Sequence, residues 1–525
     1  MSDYNAIGVG SGINSLVAGA LLAKAGWRIC LLERNDYFGG AIHTAEITRP
    51  GYHHELYSSW WPLFVGGGAY QELKPDLDAR GVTFLNTPLA SGTLFADGTS
   101  AFLSQGADAI IAELERIQPG DGEAYSQFLA EFMPNLDLIF GVLGSALYTQ
   151  QGAQLLQTAE ERLGRDGLLR LSGEMLGTAR DWLAQTFRSP ISQGLISPWI
   201  AHFGLGPEDA LSGMAARVMA ISLQLLGVPV PRGGGSRVVD ALLEIIENNG
   251  GECLTHSDVT RVLVEDGQAR GVMLAGGETI TADRAVICNV TPNQLYQRLL
   301  APAEVPRELK KAVMRFRPGL ADMQIHLALK EQPRWEGDRR LGQAPIVNIS
   351  GGLDAGSKAR NESVRGLLPE EPDICVGQPT VLDPTRAPEG GSIIWIQLLG
   401  LPGHPWGDAA GKIRCGGVWT EDVAERFADR VMHRLHQYIP DLPAATLDRV
   451  VISPRDLEIN NINHLDGDPY GGALQIAQHY LWRPMPGYPR HATHIAGLYH
   501  IGASTYPGHG LGGGSGLLVA KELLR

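Results

Sequence analysis

The first forty residues hold a glycine-ended strand, a helix and a second strand closed by an acid, and this unit constrains what the rest can form. Residues Asn5 to Val9 read as a short apolar strand running into Gly10-Ser11-Gly12-Ile13-Asn14-Ser15. Asn14 to Lys24 is rich in helix formers, and Gly26 suits the helix end. Arg28 to Leu32 then reads as a second strand, with Glu33 at its end. A strand, turn, helix and strand within roughly 30 residues is the setting in which G-x-G-x-x-G binds a dinucleotide. Gly10 permits the tight turn, and Gly12 lets a pyrophosphate approach the helix N-terminus, where free N–H groups and the dipole favour anions. Ser15 stands where a glycine normally lets helix and strand pack closely. Glu33, about 20 residues past Gly12, suits a ribose diol and would repel a 2′-phosphate.

The next residues separate FAD from NAD. Glu33-Arg34 is followed by Gly39-Gly40-Ala41, a glycine pair where main chain must lie close to something extended. In flavoenzymes of the glutathione-reductase type this extension runs along the ribityl and pyrophosphate. The far end of the chain repeats the theme. Leu498 to Ile501 suits a buried strand; Gly502-Ala503 opens a glycine-rich ribbon through Gly508-His509-Gly510-Leu511; a helical end covers Leu517 to Leu524. Such a ribbon of N–H donors, ending at a helix N-terminus, can stabilise negative charge on the edge of a reduced flavin.

These segments resemble the phytoene-desaturase-related flavoproteins, which include carotenoid desaturases, ketolases and isomerases. They also resemble the broader set named after pyridine nucleotide-disulfide oxidoreductase domain-containing protein 2. The resemblance rests on Gly10 to Asn14, Leu32-Glu33-Arg34 with Gly39-Gly40, Pro231-Arg232-Gly233-Gly234, Pro379 to Pro384 through Ala387 to Gly390, Gly467 to Gly472, Arg483 to Gly487, and Gly502 to Gly508. It implies an α/β chain: a Rossmann-type FAD-binding domain of the glutathione-reductase type, with a mixed α+β substrate domain inserted discontinuously. The FAD, held non-covalently, would be bound by Gly10, Gly12, Ile13, Asn14, Ser15, Glu33, Arg34, Gly39, Gly40, Ala41, Gly502, Ala503, Gly510 and Leu511. Val259 would pair its backbone with adenine, and Asn289 would lie near the pyrophosphate. His509 departs from the family, which usually has Gly in that position of its tail, and so argues against a standard carotenoid substrate.

Composition closes off other classes. The net charge is −14, with no strong cluster of Lys and Arg, so nucleic-acid binding is not expected. The five cysteines are scattered and never form a CxxC pair, which suits neither a disulfide framework nor zinc and fits the cytoplasm. No metal is expected, and no run of about 18 apolar residues suggests a spanning helix. The apolar stretch Leu136 to Leu147 reads as a buried helix rather than a membrane-docking face, since little Lys or Arg surrounds it.

Along the chain, residues 1–75, 227–300 and 490–525 are expected to form the FAD domain, and 76–226 with 301–489 the substrate domain. Its helical part is 107–226. Val238 to Asn249 has helical spacing, Val259 to Glu265 and Ala269 to Leu274 flank an Asp266-Gly267 turn, and Ala285 to Asn289 reads as a buried strand. Ala321 to Ile325, Ser392 to Leu398 and Arg449 to Ile452 read as strands of a second sheet. The Gly/Pro-rich stretch from Gln332 to Pro379 is expected to be a long mobile insertion.

Flavin accepts a hydride from a weakened C–H bond, while the protein orients the carbon and excludes water. The expected function is FAD-dependent desaturation or oxidation of a hydrophobic small molecule. The alternatives are a flavin-dependent isomerase without net redox change and a non-catalytic FAD-binding assembly protein. A single dinucleotide turn makes dioxygen, a quinone or a carrier protein the expected electron acceptor. His509 and His54 are the candidate catalytic residues. Of the adjacent pair His53 and His54, only one can point inward from a strand.

Overall fold

Strands covered on both faces are mostly apolar where they are covered, and Ala6 to Val9 and Ile29–Leu32 at the centre of the first sheet follow that rule. The computed structural model describes residues 2–145, 148–479 and 482–525. Strand Tyr4–Val9 pairs in parallel with Ile29–Leu32 on one side and with the second half of Thr279–Asn289 on the other. Leu498–Ile501 and Glu252–Leu254 extend this parallel sheet at its two edges. Alternate side chains go to two cores. Ala6, Ile29, Leu31, Ala285 and Ile287 face the helices Ile13–Lys24, Ser236–Asn248 and Gly514–Leu523. Ile7, Val9, Cys30, Leu32, Val286 and Cys288 face the Val259–Glu265 and Gln268–Leu274 hairpin with Leu309 and Val313. The hairpin turns at Asp266-Gly267 and joins the first half of Thr279–Asn289 antiparallel.

The sheet's strands end at the glycine turn that opens the first helix, and the last helix packs against the same place. Ten of the twelve residues of Ile13–Lys24 are buried, which is why it shows no amphipathic stripe. Gly516 approaches it so closely that an added Cβ would lie 1.9 Å from the Asn14 carbonyl oxygen. Only glycine allows that contact.

A second sheet has the order Thr446–Ile452, Ala321–Leu329, Ser392–Leu401, Ile374–Gly377, Ile346–Ser350, Leu89–Phe95, Ser100–Ser104. One face carries Met323, Ile325, Leu327, Ile394, Ile396 and Leu398, covered by Phe427, Val431 and Leu435 of Glu421–His436. The opposite face carries Phe95, Cys375 and Trp395 toward the helices Ala107–Ile117, Asp121–Phe132, Ala179–Thr186 and Ser212–Leu226.

Two sequence expectations are corrected. Gln332 to Pro379 is no mobile insertion: it supplies Ile346–Ser350 and Ile374–Gly377, buried strands inside the second sheet, and the helix Leu353–Val364. Four or five apolar residues between Gly/Pro-rich flanks are too short to show a period. The expected boundaries also move. Residue 75 falls inside the helix Gly68–Ala79, whose Leu73 and Leu77 join Val82 in the first core, and Val305, Leu309 and Val313 pack under the first sheet. Of the stretch Leu136 to Leu147, residues 146–147 lie outside the described residues. Leu136–Gly144 is a helix with Leu138 and Ile139 buried and Phe140 exposed. Among the described residues no helix is long and apolar enough to cross a membrane.

Replacing Gly516 by Ala should therefore force the terminal helix away from the first one. A loss of about 1–3 kcal/mol is expected for such overpacking, read as an earlier midpoint in urea unfolding.

Candidate functional site

The strand ends, the glycine loops and the polar face of the second sheet enclose one cavity of about 710 Å³. At one end stand Gly10 to Asn14. Gly12 caps the first helix and no side chain caps it, so its leading N–H groups are available to an anion. The terminal helix Gly514–Leu523 has Gly513 at its N-cap and also begins at the same cavity. Gly40 lies so near the turn that a Cβ on it would sit 3.2 Å from Gly12 Cα.

Glu33 is buried at the end of its strand. Its Oε2 accepts from Ser11 N at 3.0 Å and Ser11 Oγ at 2.6 Å, and its Oε1 accepts from Asn35 N at 3.0 Å. Ser11 Oγ in turn accepts from Gly39 N at 3.0 Å. A carboxylate has about four acceptor positions, so one remains for a hydroxyl. Ser257 N donates to the Glu33 carbonyl at 2.7 Å, which sets Val259 on the same wall. Asn289 Nδ2 donates to Gly12 O at 3.2 Å. Thus an acceptor, two glycine-capped helix N-termini and a close glycine cradle lie along one channel. That donor set fits FAD.

Of the residues expected to hold the cofactor, Gly10, Gly12, Ile13, Asn14, Glu33, Arg34, Gly39, Gly40, Ala41, Val259, Asn289, Ala503, Gly510 and Leu511 line the cavity. Ser15 and Gly502 do not. Ser15 is buried with its hydroxyl unpartnered, and Gly502 sits behind the wall, donating its N–H to Ser515 Oγ at 2.9 Å. The two histidines also part company. His54 is corrected: it is buried away from the cavity, within 2.8 Å of Thr48 Oγ1 and edge-on to His326 at 5.3 Å. Burial, His326 and Arg386 push its pKa down to about 3. His53, its neighbour, is half-buried, with Nε2 3.6 Å from Glu46 Oε1. His509 does line the cavity, edge-on to Tyr470 at 5.1 Å and to Phe203 at 5.9 Å. Burial first and Arg483 second hold it near pKa 3, so it is a neutral imidazole in ordinary buffers.

Some sequence landmarks turn out to be clamps. Glu55 Oε1 accepts from Gly235 N at 2.8 Å and from Arg386 Nη2 at 2.9 Å, and both partners of that ion pair are almost fully buried. Asp383 Oδ2 accepts from Gly233 N at 2.7 Å. These contacts pin the Pro231 to Gly235 turn to the second sheet.

The rest of the cavity is aromatic and apolar, with Trp60, Phe140, Phe203, Met219, Trp395 and Tyr470. Trp60 stands edge-on to Trp199 at 5.5 Å and His202 at 5.4 Å. Sequence reasoning missed the polar residues there, Asp322, Gln324 and Gln397. The signal was present in strand Ala321–Leu329, where Asp322, Gln324 and His326 alternate with apolar residues.

The family model for flavin containing amine oxidoreductases matches residues 16–441. The chain belongs to that family. One of the limonene dehydrogenase chains of Castellaniella defragrans is 26% identical, over 98% of this chain and 93% of that protein. A neurosporene-forming phytoene desaturase of Cereibacter sphaeroides is 24% identical over 98% and 94%, in keeping with the resemblance read from the motifs. Among solved structures, cyclohexylamine oxidase of Brevibacterium oxydans superposes with a TM-score of 0.60 at 15% identity, covering all of both chains. The protein is an FAD-dependent oxidoreductase, with a Rossmann-type α/β fold and a substrate-binding part.

Replacing Glu33 by Ala should weaken FAD binding by about 10- to 100-fold, since hydrogen bonds to a charged group contribute about 1.5–3 kcal/mol. Fluorescence titration of the stripped protein with FAD checks this.

Proposed function

We propose that the protein oxidises or desaturates a hydrophobic small molecule seated in the aromatic half of the cavity. FAD, when bound, supplies the hydride acceptor for a C–H bond. One observation carries the reading: the glycine-lined half and the aromatic half form a single continuous cavity. In this reading Gly10, Gly12, Ile13 and Asn14 hold the pyrophosphate by their main chain, and Glu33 accepts from the ribose. Val259 meets the adenine, while Gly39 to Ala41, Ala503, Gly510 and Leu511 follow the ribityl and ring. Asn289 braces the turn through the Gly12 carbonyl. Trp60, Phe203, Met219 and Tyr470 exclude water and orient the substrate carbon. His509, neutral and packed on Tyr470, closes the wall between the two halves.

Electrons are proposed to pass on to dioxygen, a quinone or a carrier protein, since the sequence carries one dinucleotide turn. The five cysteines, all unpaired in the structure, suit a reducing cytoplasm. Among the described residues, Arg34 and Arg298 are the cations in the cavity lining and both lie in the glycine-lined half near Glu33 and Val259, so the aromatic half does not favour an anionic substrate.

Anaerobic titration of the yellow holoenzyme with a cyclic hydrocarbon or alcohol substrate tests the proposal. Bleaching of about one flavin per chain is expected. Conversion of substrate with no bleaching would show an isomerase and overturn the redox reading.

A further inference from the structure

A carboxylate that shares a cavity with six aromatic and apolar side chains needs a reason to be there. Asp322 is 2% exposed, at the start of the fully buried strand Ala321–Leu329. Its Oδ1 accepts from Met323 N at 2.9 Å and its Oδ2 from Gln397 Nε2 at 2.7 Å. Gln324 contributes a further hydrogen bond, so three of the carboxylate's roughly four acceptor positions are used and one remains on a residue that lines the cavity. No cation is among the groups that set its charge state.

Its neighbours place it near the flavin loop. Gln324, on the same face of the strand, donates to the Tyr57 carbonyl at 3.0 Å, and the adjacent Ser58 donates to the Ala41 carbonyl at 2.6 Å. Gln397 and His202 line both the main cavity and a second, small one of about 60 Å³, so together they form part of the partition between them. His202 Nε2 is buried there without a hydrogen-bond partner. One wall thus offers an acceptor anchored from behind and an unused imidazole nitrogen.

We propose that Asp322, steadied by Gln397, accepts a hydrogen bond from a hydroxyl group of the substrate, so that the molecule taken up is a hydrophobic alcohol rather than a bare hydrocarbon. The inference rests on the reading of the aromatic half as the substrate site. A hydrocarbon would leave the buried carboxylate facing only carbon, at a high desolvation cost. Burial raises the Asp322 pKa to about 7, so the acceptor form gains population as pH rises through neutrality. The groups facing it stay silent there. Tyr470 and Cys375 are kept protonated by burial, His202 and His326 are kept neutral with pKa near 4, and Arg360 beside Tyr470 remains a cation.

The test titrates the holoenzyme with menthol, menthyl methyl ether and menthylamine, following perturbation of the flavin absorption band. Menthol should bind at least about tenfold tighter than the ether near pH 8. That advantage should shrink toward about pH 6. With FAD content retained, Asp322→Asn should lose the pH dependence, and Asp322→Leu, which has no acceptor, should lose the advantage itself. Steric differences between alcohol and ether would survive either substitution, so only the hydrogen bond is read. Equal affinities in the wild type, a preference for menthylamine, or an unchanged preference in Asp322→Leu would overturn the anchor while leaving the hydrophobic site intact. Failure of all three compounds to perturb a bound flavin would overturn the substrate site itself.

Discussion

The contact between the terminal helix and the first helix is the constraint on which the rest of the structure depends. Gly516 rests on the Asn14 carbonyl, and its N–H lies 3.4 Å from Asn14 Oδ1. The contact joins residues at opposite ends of the sequence. It sets two helix N-termini, each with a glycine at the N-cap, beside one cavity, each with a partial positive charge from its dipole. An elongated dianion with an adjoining electron-accepting ring matches such a pair better than any neutral ligand. The sheet order supports this geometry, because Thr279–Asn289 lies between the first strand and the last one and aligns their ends.

The second sheet solves a different problem. Its outer face is apolar and sealed by Glu421–His436, so its register is fixed by burial alone. With the strands so fixed, the inner face can carry Asp322, Gln324 and Gln397 without endangering the fold. Glu55 and Arg386 join this sheet to the cofactor half, and losing either partner would leave a buried charge. Rigidity of this wall of the cavity therefore comes from the sealed outer face and from the buried Glu55–Arg386 pair.

Legibility in the sequence followed locality. The glycine turn, Glu33, the hairpin at Asp266-Gly267 and the apolar strands could be read because each is specified within a few neighbouring residues. Ile346–Ser350 and Ile374–Gly377 could not, since a short buried strand has no period and its partners lie far along the chain. Strand parity correctly separated His53 from His54, but parity does not say which compartment lies on the inward side, and for His54 it is the interior behind the wall. Asp322 and Gln397 meet across strands that pair only in three dimensions. The alternation Asp322, Gln324, His326 was visible, yet its meaning depended on what covered that face.

Hydrogen exchange of the purified chain, stripped of FAD and then reloaded, tests the closure of the two ends most directly. Slowed exchange on reloading should appear together at 10–16 and at 508–516. Protection confined to one end, or absent from both, would contradict a cavity built by their meeting.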